Sequence, residues 1–138
     1  MKGFCIGVKI IEVLGEEERF GVPGYSVRYE DGYASWSPKD ALEKAYFSMG
    51  DNQTSITRTM VNAFIDNVET KQIDTRTVQG KGTCITGFSK WVKSECVNPA
   101  KMDKEAEADN CRAEIRAKVW EFLSFVLQWG QRGLKVME

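Results

Sequence analysis

An apolar stripe in the last third of the chain constrains the fold more than any other feature of the sequence. Between residues 103 and 129, apolar side chains recur every three or four positions, which is the spacing of one face of an α-helix. Asp103 is placed to cap the start of this helix, and Gly130 and Gly133 are placed to end it. At about 1.5 Å per residue, such a helix is roughly 40 Å long. The stripe consists of Ala108, Cys111, Ile115, Val119, Phe122 and Val126, with Trp120, Leu123 and Leu127 beside it.

The end of this helix is apolar on most sides, because residues 120–129 read WEFLSFVLQW. A surface helix normally carries one apolar face, and larger exposed apolar patches mark interaction sites. We therefore expect a homo-oligomer with this helix near its interface. The alternative is a helix that packs entirely against the sheet of its own chain.

The first third of the chain has the alternating pattern of β-strands. Residues 4–14 predict one strand, and residues 25–38 predict a hairpin with a two-residue turn at Asp31-Gly32. At the end of the hairpin, Ser37-Pro38 predicts an N-cap followed by proline in the first helical position. A short helix should then run to about Tyr46.

The middle of the chain predicts a helix followed by a second hairpin. Apolar residues recur every four positions from Ile56, so a helix should begin at Thr54 or Ser55. Residues 71–78 then predict a polar strand, residues 80–82 (Gly-Lys-Gly) a turn, and residues 83–93 the partner strand. The sequence thus predicts an α+β fold, in which a small antiparallel sheet packs with a medium helix and a long C-terminal helix.

The chain divides into two parts of different charge. Residues 1–52, a predicted strand and hairpin–helix module, hold six basic and nine acidic side chains. Residues 53–138, the predicted helix–hairpin–long helix part, hold thirteen basic and eleven acidic side chains. We expect both parts to form one compact domain. The mildly basic second part suits a small anionic ligand better than a polyanion such as DNA.

The composition excludes several kinds of active site. The 138 residues contain no histidine, so this chain supplies no Ser–His or Cys–His nucleophile and no histidine-ligated metal. Its four cysteines form no C-x-x-C pair, which argues against a zinc ribbon. We expect no cofactor, no metal and four free thiols, with Cys84 and Cys111 buried.

Two arginines on the long helix are candidate phosphate ligands. Arg112 and Arg116 are separated by four residues, so their guanidinium groups project from one side of the helix. A guanidinium group binds phosphate oxygens through two parallel hydrogen bonds. The alternative is an ordinary solvated helix face, on which Glu114 and Glu121 pair with these arginines.

Phe88 and Asn98 are candidate contacts for a nucleobase. Phe88 could stack on a purine, and the amide of Asn98 both donates and accepts hydrogen bonds. The alternative is an amphipathic strand in which Asn98 shapes a turn before Pro99. The acidic residues between 103 and 109 are explained by helix capping at Asp103 and by the positive end of the helix dipole, and their spacing does not select the alternative of a carboxylate metal site.

The second part of the chain carries a pattern of residues that is known from one protein family. Residues 87–99 read GFSKWVKSECVNP, and the helix that follows ends in WEFLSFVL at residues 120–127. This pattern resembles a family of small phage proteins that includes the type 1 Thoeris anti-defence proteins, although Thr86 and Ser124 depart from it. The resemblance covers residues 53–138. Residues 25–46 are similar to a hairpin–helix module found at the start of other small phage proteins.

The resemblance implies a protein that sequesters immune signals without cleaving them. Members of the family bind cyclic ADP-ribose isomers made by TIR-domain enzymes, in pockets built by two protomers, and some also bind cyclic di- or trinucleotides. On the matching positions, Phe88 would stack on the base, Asn98 would hydrogen-bond it, and Arg112 and Arg116 would bind phosphate. A dimer or a trimer of dimers would then block Thoeris or CBASS immunity in the cytoplasm of the infected bacterium.

Two other classes of function remain open from the sequence. A metal-dependent phosphodiesterase would use the carboxylates between residues 103 and 109 and would destroy the same signals. A protein–protein module would instead inhibit a host factor or serve as a structural phage component, with the apolar helix as its docking surface. Under any of these functions we expect no membrane association. No apolar run in the sequence approaches the length of a membrane span.

Overall fold

The computed structural model describes residues 1–136 and confirms the α+β class. It contains two three-stranded antiparallel sheets, where the sequence predicts one small sheet. The described residues form two compact units, one of residues 1–55 and 126–136, the other of residues 56–125. Whether residues 1–52 act as a separate module stays a prediction.

In the first unit, the predicted hairpin is confirmed within a three-stranded sheet whose strands lie side by side in chain order. Its strands pair antiparallel, and a helix follows directly. The turn has three residues, because Tyr29 and Tyr33 pair through their backbones and Gly32 takes a φ of +86°. The elements are β1 Glu12–Glu16, β2 Gly24–Arg28, β3 Ala34–Pro38 and α1 Lys39–Ala45.

Two predicted boundaries in this unit are wrong. Pairing begins only at Glu12, so residues 4–11 of the predicted first strand lie outside the sheet. Ser37 and Pro38 end β3 by pairing with Tyr25 and Gly24, so α1 starts at Lys39 without a side-chain cap. In both places, the boundary of the element is where cross-strand pairing begins or ends. Residue preferences alone do not predict how far that pairing extends.

In the second unit, a short helix leads into a three-stranded antiparallel meander, whose strands lie side by side in chain order. The predicted helix is about one turn too long at each end, because it begins at Arg58 instead of Thr54 or Ser55 and because Val68 already lies on a strand. A 3-10 turn and the long helix follow the sheet. The elements are α2 Arg58–Phe64, β4 Ile65–Gln72, β5 Thr77–Cys84, β6 Ser89–Glu95, the 3-10 turn Pro99–Lys101 and α3 Lys104–Arg132.

The predicted turn at residues 80–82 is wrong, because Gly80 and Gly82 lie in the middle of β5. Both glycines face α3 at the point of closest approach. An ideal Cβ on Gly80 would lie 2.9 Å from Cβ of Cys111, and one on Gly82 would overlap the side chain of Ile115. The hairpin turns lie at residues 73–76 and 85–88, and Gly87 takes a φ of +89° in the second of them.

The long helix packs through the stripe that the sequence predicts, but only over part of its length. Asp103 caps its start by accepting hydrogen bonds from the backbone of Glu105 and Ala106, and Gly133 follows its end with a φ of +67°. The prediction that Gly130 ends the helix is wrong, because the helix continues to Arg132. The stripe is buried from Ala108 to Val119, and Leu123 beside it is also buried, whereas Phe125 and Val126 are exposed. The sheet of this unit therefore covers the first four turns of the helix.

The four cysteines are free, and Cys84 and Cys111 are buried as predicted. Burial raises the pKa of both thiols, so they remain protonated at pH values where an ordinary thiol begins to ionise. We expect a thiolate-directed alkylating reagent at pH 8 to modify Cys5 and Cys96 quickly. Cys84 and Cys111 should react only after denaturation. Mass spectrometry of the peptides would measure this, and rapid labelling of Cys111 in the folded protein would contradict the packing described above.

Candidate functional site

A shallow pocket between α2 and α3 brings two arginines and a tryptophan together. The pocket has a volume of about 260 Å³. Arg58 approaches it from the start of α2, whereas Arg116 and Trp120 approach it from α3. Val61, Ala113 and Ala117 form the rest of its lining. The pocket therefore combines two permanent positive charges with an aromatic ring and a small apolar floor.

Helical spacing explains how α3 contributes to this pocket. Ala113, Arg116, Ala117 and Trp120 follow one another at intervals of three, one and three residues, so they lie on one face of the helix. The two alanines leave open the space that larger side chains would fill. Trp120 keeps 40 % of its surface exposed, so part of its ring can contact a ligand.

The start of α2 places the second arginine. Thr57 caps this helix, and its side-chain hydroxyl accepts a hydrogen bond from the backbone N–H of Met60 at 3.3 Å. Arg58 is the first helical residue and is exposed, whereas Met60 and Val61 pack into the core. The cap and the buried residues together direct Arg58 to the rim of the pocket.

The two arginines predicted from the sequence have different surroundings. Arg116 lines the pocket, whereas Arg112 does not. Arg112 instead forms an ion pair with Asp109, its Nη1 lying 2.6 Å from Oδ1 of the carboxylate. This pair is largely exposed, with 74 % of the Asp109 side chain accessible. Arg112 therefore has a partner three residues away, and that partner is neither Glu114 nor Glu121.

Phe88 lies away from this pocket. It is in the turn between β5 and β6, and its ring packs edge-on against Phe122 of α3 with centroids 5.7 Å apart. Phe122 and Arg116 are six residues apart, so they project about 120° apart around the helix axis. Phe88 keeps 58 % of its surface exposed and could still stack on a planar group.

Asn98 lies at the opposite end of β6 from Phe88. Its side-chain oxygen accepts a hydrogen bond from the backbone N–H of Ala100 at 3.1 Å and caps the 3-10 turn. The seven residues of β6 separate it from Phe88, and at about 3.3 Å per residue that strand is roughly 20 Å long. One copy of the chain therefore does not bring Phe88 and Asn98 onto the same base.

Three of the four acidic residues at the start of α3 have structural roles. Asp103 caps the helix, Glu107 accepts a hydrogen bond from the hydroxyl of Ser94 on β6, and Asp109 pairs with Arg112. Within residues 1–136, no group of three or more His, Cys, Asp or Glu side chains is arranged to hold a metal ion.

Sequence reasoning missed Arg58 and the role of Trp120. The α3 half of the pocket could have been found, because Arg116 and Trp120 are four residues apart in a helix with a strong apolar periodicity. Arg58 is 58 residues from Arg116 in sequence, so nothing in local spacing links them. Only the packing of α2 beside α3 does.

No helix in residues 1–136 combines the length and the apolar character that crossing a membrane requires. Comparison with models of known protein families, with curated proteins and with solved structures found no match for this chain.

Proposed function

We propose that this protein binds cyclic ADP-ribose-type nucleotide signals and sequesters them without cleaving them, as a phage anti-defence sponge in the infected bacterial cell. The observation that carries the proposal is the convergence of Arg58, Arg116 and Trp120 on one pocket. A diphosphate-bearing nucleotide offers phosphate oxygens to guanidinium groups and a planar base to an indole ring. The resemblance of residues 53–138 to the Thoeris anti-defence family supplies the class of nucleotide.

The arrangement favours binding over catalysis. Arginine side chains stay protonated at physiological pH, so they hold an anion but do not act as a general base. The chain contains no histidine, which is the commonest acid–base catalyst at neutral pH. Capture of a signal requires only affinity, and these groups supply it.

The size of the pocket argues for more than one copy of the chain at the ligand. Its volume of about 260 Å³ is below the roughly 300–1,000 Å³ of ordinary small-molecule sites. A nucleotide would therefore extend beyond this pocket. In the proposed homo-oligomer, Phe88 or Asn98 of another copy contacts the part of the ligand that Arg58 and Arg116 do not reach.

Recovery of the bound signal tests the proposal. The purified protein is incubated with the product of a TIR-domain enzyme, separated from free nucleotide, and heated to release what it holds. We expect chromatography and mass spectrometry to show intact cyclic nucleotide in stoichiometric amount. A hydrolysed product that disappears in EDTA would establish a metal-dependent enzyme instead. Failure to retain any nucleotide, together with an unchanged melting temperature, would favour a protein–protein module.

A further inference from the structure

Residues 4–10 form a segment with the sequence of a strand but without a partner strand in the described chain, although the Lys9 ammonium lies 4.5 Å from the centre of the Tyr29 ring. Phe4, Ile6, Val8 and Ile10 alternate with Cys5, Gly7 and Lys9, as in a strand with one apolar face. No backbone hydrogen bond joins this segment to any other part of the described chain. Backbone N–H and C=O groups next to apolar side chains normally find partners when those side chains are buried.

One half of the segment is covered and the other half is not. Val8 and Ile10 both pack at Gly130 of α3, where an ideal Cβ would lie 3.4 Å and 3.1 Å from their Cγ1 atoms. Phe4 and Ile6 continue the same alternation, but they are exposed to 106 % and 84 % of the reference area. The apolar face thus extends beyond the surface that its own chain provides.

We propose that residues 4–10 pair antiparallel with the same segment of a second copy of this chain, about a two-fold axis at Gly7. Phe4 then lies opposite the partner subunit's Ile10, and Ile6 lies opposite the partner subunit's Val8. In each copy, Phe4 and Ile6 then extend the apolar layer that Val8 and Ile10 form at Gly130. The free backbone groups of the two segments satisfy one another.

The sequence of the segment selects this register. With Gly7 opposite Gly7, all four apolar residues of one copy face apolar residues of the other. A shift of two residues in one direction places Ile10 against Lys2, and a shift in the other direction places Phe4 against Glu12. An odd shift moves the apolar residues to opposite faces. Such self-complementarity is what a two-fold interface between identical chains requires.

The exposed area fits a weak dimer contact. Two Phe4 side chains alone would bury roughly 300–500 Å². Ile6 of both copies adds to this area. A contact of this size lies below the range of about 1,200–2,000 Å² for stable protein interfaces, so we expect a dimer that dissociates on dilution.

Cross-linking tests the register directly. Cys5 lies opposite the partner subunit's Lys9, so Lys9→Cys in a Cys96→Ser background should form two reciprocal disulfides and run as a covalent dimer on a non-reducing gel. Adding Cys5→Ser should abolish that dimer, and Lys2→Cys in place of Lys9→Cys should not produce it. Cys5 and a cysteine at position 9 of the same chain are roughly 13 Å apart in a strand, too far for an internal bond. A wild-type disulfide through Cys5 alone would indicate parallel pairing and overturn the proposal.

The oligomeric state gives an independent test. Sedimentation velocity at micromolar concentration should show that Phe4→Glu with Ile6→Glu loses the association present in the wild type, whereas Lys39→Glu, an exposed charge change on α1 outside the segment, keeps it. Circular dichroism checks that both variants stay folded. A monomeric wild type, or an unchanged oligomer in the double variant, would overturn the proposal whether or not the protein binds nucleotide.

Discussion

Replacing both Arg58 and Arg116 with Ala is expected to lower the affinity for cyclic ADP-ribose by about 100-fold or more. Hydrogen bonds to charged groups contribute about 1.5–3 kcal/mol each, so the loss of two phosphate contacts costs about 3–6 kcal/mol of binding energy. Both side chains lie at the rim of the pocket and are not part of the buried core. The variant should therefore keep its fold and its melting temperature without ligand.

Isothermal titration calorimetry with the cyclic nucleotide measures this loss of affinity. The single variants Arg58→Ala and Arg116→Ala measure the separate contributions of α2 and α3. Arg112→Ala serves as the matched control, because Arg112 is on the same helix but is paired with Asp109 outside the pocket. The control should lose far less affinity than Arg116→Ala. Equal losses of affinity at Arg112 and Arg116 would show that the phosphate site is the pair predicted from the sequence. Unchanged binding in the double variant would show that this pocket does not hold the nucleotide.

Gly82→Ala is expected to destabilise the folded protein by about 1–3 kcal/mol, the cost of overpacking a well-packed core. The added methyl group would overlap Ile115, which is 1 % exposed and lies where α3 crosses β5. The helix and the sheet must separate to make room, and the neighbouring contact at Gly80 would be lost with them. Urea unfolding followed by circular dichroism would measure the change in the free energy of unfolding.

Gly15→Ala is the matched control, because Gly15 also lies on a strand but has open space around it. Its free energy of unfolding should change little. A second variant identifies the contact: in an Ile115→Ala background, Gly82→Ala should cost less than in the wild type, since the overlapping side chain is absent. Additive effects of the two substitutions would contradict a direct contact between these positions.

The sequence was most informative where a local pattern and the tertiary packing agree. The periodicity of residues 103–129 predicts α3, its capping residue Asp103 and the buried stripe from Ala108 to Val119. Alternation and a glycine-containing turn likewise predict the hairpin of β2 and β3. In both segments, the interactions that define the element lie close together in the sequence, so residue spacing records them.

The glycines of residues 80–82 show where local reasoning fails. A Gly-Lys-Gly sequence is typical of a turn, but the same absence of side chains also lets a helix approach a strand closely. The sequence alone does not choose between these uses. The choice is made by Cys111 and Ile115, which reach β5 only after α3 has packed onto the sheet. Residues 4–11 are the reverse case, since they have the pattern of a strand but no partner strand within the described chain.

The candidate site divides in the same way. The sequence by itself determined the long helix, and with it the placement of Arg116 four residues before Trp120 on a single face. Only the tertiary structure decided that Arg58 joins them, that Arg112 turns to Asp109, and that β6 holds Phe88 and Asn98 apart. The physical reason is the range of the interactions. Helical and strand periodicity depends on neighbours within a few residues, whereas a pocket forms from side chains that are brought together only by the burial of apolar surface between distant segments.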